Sequence, residues 1–94
     1  MTKFEWDDIK AQANIANHRI RFEDAATVFD DPLQRSYPTI ENGEERWLTV
    51  GRSRFHKLLL VVHTTKELPD GTEIIRIISA RELEPTERRE YELG

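Results

Sequence analysis

Arg76 interrupts the run Ile74-Ile75-Arg76-Ile77-Ile78, and Arg81 stands where that run ends, after Ser79-Ala80. A charge inside an apolar strand is costly to bury unless it is paired or used. Two more polar groups lie in apolar registers: Arg46 alternates with Leu48 and Val50, and His63 with Leu59 and Val61. Arginine's planar fork meets phosphate oxygens bidentately and keeps its charge. Histidine titrates near neutrality and can give or take a proton. These residue types suit cleavage of a phosphodiester. That reaction needs an activated or aligned hydroxyl, cations to stabilise the charge on phosphorus, and a protonated or cation-bound leaving oxygen. If their strands are neighbours, Arg46, His63 and Arg76 converge across a sheet whose strands lie ~4.8 Å apart. Arg81 and Tyr91 then reach the same rim.

Each candidate also has a purely structural reading. Arg46 can pair with Glu44 or Glu45 in a hairpin. His63 can be a satisfied core histidine, and Arg76 can pair with Glu82, Glu87 or Asp7. His18 ends a predicted helix, where imidazolium is favoured by the helix dipole, so capping is its default role. Trp47 faces away from Arg46 and suits either base stacking or packing. Other chemistries find less support. The histidines at 18, 56 and 63 lack metal-ligand spacing, and there is no cysteine. Ser79 has no evident His/Asp partners. Gly51 reads as a strand bulge rather than a phosphate loop.

Ninety-four residues allow one domain, 1–94, with one modest core. The absence of cysteine suits a reducing cytoplasm, and no apolar run approaches the ~20 residues of a membrane span. Net charge is −4, but its distribution is uneven. Residues 1–45 carry net −5 and residues 46–94 net +1. Between 46 and 66 stand Arg46, Arg52, Arg54, Lys57 and Lys66 with no acid. A basic face on an acidic protein fits local phosphate binding; it also fits a solvated strand pair with guarded edges.

The elements that must position these residues follow from periodicity. Lys3 to Trp6 alternates as a short strand. Asp7 is a good N-cap for a helix to Asn17, with Ile9, Ala13 and Ala16 on one face. Phe22, Ala25, Ala26 and Phe29 give a second helix, Phe22 to Asp30, stopped by Pro32. Strands then follow over 33–40, 45–52, 57–65 and 73–80, the first demoted to an edge by Pro38. Asn42-Gly43 and Pro69-Asp70-Gly71 mark tight turns. The apolar run Leu58–Val62 predicts a strand buried on both faces. Pro85 opens a last helix through Tyr91. The order β-α-α-β-β-β-β-α predicts an α+β fold: an N-terminal strand and two helices, an antiparallel meander, and a short C-terminal helix.

Taken in order, these segments resemble the BrnT family of bacterial type II toxins. The matching pieces are Phe4-Glu5-Trp6-Asp7 with Lys10 and Asn14, Asn17-His18, Phe22-Glu23-Asp24-Ala25, and Val28-Phe29-Asp30-Asp31-Pro32. They continue with Glu44-Glu45-Arg46, Gly51, the Leu58–Val62 strand, Arg76-Ile77-Ile78-Ser79-Ala80-Arg81, and Glu87-Arg88-Arg89-Glu90-Tyr91. The resemblance implies a compact RelE-like fold and metal-independent ribonuclease activity that arrests translation and growth. It implies no cofactor. It also implies a BrnA-type ribbon-helix-helix antitoxin, a heterotetramer, and operator DNA bound only through that antitoxin. The residues carried over as catalytic are Arg46, Arg76 and Arg81, with His63 and His18 as acid–base candidates. Arg52, Arg54, Lys57 and Tyr91 are the RNA-binding candidates. Where family members commonly have His-Gly, this chain has His18-Arg19, so Arg19 must do without glycine's freedom. The alternative function is a non-catalytic binding module, or an inactive subunit acting only with its antitoxin in repression.

Overall fold

The computed structural model describes residues 1–94. Its elements are β1 (Thr2–Glu5), α1 (Asp8–His18), α2 (Phe22–Ala26) continued by a 3-10 turn (Thr27–Asp30), β2 (Arg35–Glu41), β3 (Glu44–Arg52), β4 (Leu58–Glu67), β5 (Glu73–Glu82) and α3 (Pro85–Leu93). The expected element order therefore holds. The second helix is shorter than expected, because its last turn tightens to 3-10 geometry before Pro32. No helix is long and apolar enough to cross a membrane.

The five strands form one sheet in the order β1-β5-β4-β3-β2. β2 to β5 are the antiparallel meander, and β1 adds in parallel to β5. β4 lies at the centre, and Leu58 to Val61 are buried, as their unbroken apolar run requires. The Asn42-Gly43 turn has both residues at positive φ, 51° and 80°, the geometry that suits a two-residue hairpin.

The two faces of the sheet are covered differently. On one, Leu59, Val61, Ile75, Ile77 and Ala80 pack with Ala11, Ile20, Phe22, Ala25 and Val28 of the helical layer. On the other, Leu58, Leu60 and Leu83 pack with Leu48, Val50, Val62 and Tyr91. α3 thus shelters only part of the second face. Asp7 caps α1 as expected, its carboxylate accepting from the Ile9 N–H at 3.2 Å.

Two local expectations are overturned. Ile9, Ala13 and Ala16 face solvent, with Ile9 79% exposed; α1 instead buries Ala11 and Asn14. Gly51 is not a bulge. It pairs regularly with Leu59, and a Cβ there would come within 2.8 Å of Val28 Cγ1, so glycine is required by the close approach of the 3-10 turn. The bulge lies in β5, where the register slips between Val62↔Ser79 and His63↔Ile77.

Asn14 is the polar anchor of this layer. Its Nδ2 donates to the carbonyls of Ile20 and Ala80, both at 2.9 Å, and its Oδ1 accepts from the Ala80 N–H at 3.0 Å. Asn14→Ala leaves three buried backbone groups without partners. At about 1 kcal/mol or more each, the expected loss is about 3 kcal/mol. Thermal unfolding should show Tm lower by more than ~10 °C. Arg19 ends α1 at φ 59°, ψ 30°, and its N–H donates to Ile15 O at 2.9 Å. Arg19→Gly should stabilise the chain by about 0.5–1 kcal/mol, read from the urea midpoint, because a side chain strains this left-handed cap.

Candidate functional site

Arg76 and Arg81 are five residues apart, which in a regular strand puts them on opposite faces. The β5 bulge reverses the alternation. Arg76 pairs with Thr64, Ser79 with Val62 and Arg81 with Leu60, so all three stand on the face that carries α3. Arg46 shares that face with Leu48 and Val50. Continuing the β3–β4 register puts Arg46, Thr64 and Arg76 in one row across three strands, with Arg46 and Arg76 about 10 Å apart. The three candidate arginines therefore lie on one surface.

His63 does not join them. It lies on the opposite face, 3% exposed, with its ring edge-on to Phe29 at 4.9 Å. Its Nε2 shares a 2.6 Å hydrogen bond with Thr49 Oγ1, which in turn bonds Ser36 Oγ at 2.7 Å. Burial pushes the imidazole below its usual range, against an opposing effect of the Thr64 backbone. His18 is exposed at the end of α1, in the helical layer on that same far side.

The arginines differ in availability. Arg46 is held by Glu41 at 2.9 Å and Glu44 at 3.3 Å, and its Nε is buried without an acceptor. Of its two expected partners, Glu44 is used and Glu45 is not. Arg81 forms a closed fork with Glu87, at 2.8 and 2.9 Å, which pins the first turn of α3. Arg76 is the open one. Its only ion pair is a 3.5 Å contact with Glu5, rather than with Glu82, Glu87 or Asp7, and its side chain is 48% exposed. Lys66 pairs with Ile74 and is exposed, so it lies diagonally across from Arg76 on the same face, within ~8 Å. Sequence reasoning missed Lys66, Thr64 and Ser79 as companions of Arg76. The first two were legible from their alternation with Leu60 and Val62, but Ser79 needed the bulge.

The RNA-binding candidates gather at the β3–β4 end of the molecule. Arg52, Arg54 and His56 line a polar cleft of about 450 Å³ with Asp31. Arg54 lies 3.4 Å from Asp24 and stacks on Phe55, while Lys57 is exposed beside them. Asp31 is fully engaged: it accepts from the N–H of Leu33 at 2.9 Å, from the N–H of Arg52 at 2.8 Å, and from the Tyr91 hydroxyl at 2.5 Å. Burial alone would raise its pKa, but these bonds and the Arg52 charge outweigh it and hold the carboxyl low. Burial, then the Asp31 bond, raises the Tyr91 phenol. Tyr91 is thus a protonated latch on α3, and Asp31 is a brace, not a base.

The Arg81 bond, followed by the Glu84 N–H, lowers the Glu87 pKa from 4.5 to about 2. The folded form is thus favoured by ionised Glu87, fully so above pH 4.5, and this stability is lost as pH falls from 4.5 towards 2. Allowing for partial exposure, the contribution is about 1–2 kcal/mol. Denaturant titrations from pH 7 to pH 2 should show that acid loss reduced in Glu87→Gln, which should also start less stable at pH 7.

With this geometry in hand, the chain was compared with known proteins. The family described as the ribonuclease toxin, BrnT, of type II toxin-antitoxin systems matches residues 6–87. Among solved structures, the Brucella abortus ribonuclease toxin BrnT is similar. Its identity is 26% and its TM-score 0.65, over 89% of this chain and 99% of that one. Curated protein sequences give no match. The five-stranded sheet with its helical layer is the fold of that toxin, and the family match spans most of the chain from Trp6 to Glu87. The chain belongs to the BrnT family of ribonuclease toxins of type II toxin–antitoxin systems.

Proposed function

We propose that this chain cuts RNA on the half of the sheet face that α3 leaves open, with Arg76 at the scissile phosphate. One observation supports this above the rest. Arg76 is a half-exposed guanidinium on an interior strand, held by a single 3.5 Å contact, whereas Arg46 and Arg81 are tied into carboxylates. Its fork binds the non-bridging oxygens and stabilises the charge that builds on phosphorus. Lys66 lies near enough to steady the leaving 5′-oxygen, and Thr64 and Ser79 offer hydroxyls beside it. Arg46 and Arg81 are positioning residues, the first flanking the row and the second fixing α3. Arg52, Arg54 and Lys57 grip the RNA backbone further along.

No imidazole stands beside Arg76: His63 and His18 belong to the other side, and His56 lies in the turn between β3 and β4 with Arg52 and Arg54. The reaction then runs on alignment and charge. The 2′-oxygen attacks phosphorus, the bond to the 5′-oxygen breaks, and a 2′,3′-cyclic phosphate and a 5′-hydroxyl result. The 2′-hydroxyl proton leaves to water, and the 5′-oxygen takes one from water. No metal is needed, because guanidinium and ammonium groups supply the positive charge. Cleavage of cellular RNA in the cytoplasm arrests growth until a BrnA-type ribbon-helix-helix antitoxin covers the toxin. The two form a heterotetramer that meets operator DNA through the antitoxin.

The test is induced expression of the wild type beside Arg76→Ala in a host lacking the antitoxin, with growth and new RNA 5′-ends followed together. Purified proteins are assayed in EDTA in parallel. The variant should keep its Tm and lose about 10²-fold in cleavage rate. Equal cleavage by the folded variant would remove Arg76 from the site, and dependence on added metal would overturn the charge-only mechanism.

A further inference from the structure

Beside the Arg76 row lies a slot of about 180 Å³ between α3 and the sheet. Leu48, Val50 and Leu60 line its apolar part, and Tyr37 and Tyr91 also border it. Tyr91 is fixed by its bond to Asp31, while Tyr37 is 48% exposed. At its rim stand Arg35 and Glu90, neither of which joins any ion pair of the chain. The row Tyr37–Leu48–Val62–Ser79 is next to the row of Arg46, Thr64 and Arg76. Adjacent rows on one face are two residues apart along a strand, or about 7 Å. Tyr37 on β2 is also three strands from Arg76 on β5, so the two stand roughly 16 Å apart, a span that lets a base enter the slot while a phosphate two or three nucleotides along the same strand rests on Arg76.

We infer that this slot is a nucleobase site that selects guanine two or three nucleotides from the scissile phosphate, with Tyr37 as its stacking surface and Arg35 and Glu90 as its readers. The inference rests on the Arg76 reading for the position of the cut, but not for the binding itself. An apolar slot walled by aromatic rings takes a base from any nucleotide, since every base has a flat π-face. The rim chooses among them. A carboxylate only accepts hydrogen bonds and a guanidinium only donates them. Guanine presents two adjacent donors, N1–H and N2–H, on one edge, and two acceptors, O6 and N7, on another. Arginine meets O6 and N7 bidentately. Adenine, cytosine and uracil cannot satisfy both rim groups in this way. Arg81 and Asp31 hold the α3 wall through Glu87 and Tyr91, so the slot is preformed.

Two readouts test this in the purified full chain. In the first, GMP, AMP, CMP and UMP are titrated separately, and NMR follows the Tyr37 ring and the Val50 and Leu60 methyls. GMP should shift these signals saturably, with affinity about tenfold above that of the other three. Tyr37→Leu should abolish the shifts, and Glu90→Gln should erase the preference while leaving weak binding. In the second, RNA oligonucleotides that differ only in the base two or three positions from one cut are compared, and Glu90→Gln should level their rates. Equal shifts from all four nucleotides, or no shift from any, would overturn the inference. So would a guanine preference that survives both substitutions in folded protein. Failure of the Arg76 reading has a different signature: Arg76→Ala cuts normally while GMP still binds at Tyr37.

Discussion

The carboxamide of Asn14 does for the sheet what a sixth strand would. β1 stops at Glu5, opposite Arg76, and leaves the outer edge of β5 unpaired beyond that point. Asn14 presents one donor and one acceptor to the Ala80 peptide, as a neighbouring strand would, and a second donor to Ile20 at the start of the next segment. An unpaired buried peptide costs about as much as a lost hydrogen bond, so this contact decides whether α1 and β5 can share a core. Asp31 repeats the device at the other side of the sheet. β2 begins at Arg35, opposite Val50, and the Asp31 carboxylate accepts the Arg52 N–H that lies beyond this pairing. Two polar side chains therefore let two short edge strands serve a wider sheet.

With its edges secured, the sheet can commit one face to the core and keep half of the other open. The β5 bulge assigns the arginines to the open face. It leaves Ile75, Ile77 and Ala80 in the core and directs Arg76, Ser79 and Arg81 away from it. Charge is then distributed by pairing. Carboxylates on neighbouring turns occupy Arg46 and Arg81, which makes them rigid, while Arg76 keeps its fork half in water. An acidic protein can in this way offer a locally cationic surface without leaving several unpaired charges side by side.

Much of this was legible in the sequence, for identifiable reasons. Asn42-Gly43, Asp7 and the Leu58–Val62 run each have one cheap conformation, and each took it. Arg46, Arg76 and Arg81 drew attention because charges in apolar registers need a purpose. The failures are equally physical. Ile77 and Ile78 are identical side chains, so nothing in the pattern showed which would fall out of register. Ile9, Ala13 and Ala16 formed a plausible stripe, but the amide of Asn14 outweighed their modest apolar area and turned the helix the other way. His63 lay in an apolar register because it belongs to the core, bonded to Thr49. The glycine at 51 answered to Val28, a contact between distant segments that no local window contains.

α3 has no buried residue of its own, and it is fastened by the Arg81–Glu87 fork and the Tyr91–Asp31 bond rather than by an apolar face. Such a segment detaches at a lower free energy than the strands beneath it, as a separate cooperative unit. When it lifts, Leu58, Leu60 and Leu83 lose their cover, and a patch of leucines meets water. The folded population therefore always contains a fraction with a frayed C-terminus and a sticky surface, the form that proteases and chaperones bind first. The two polar latches on α3 therefore govern how often that surface is uncovered, independently of the core beneath.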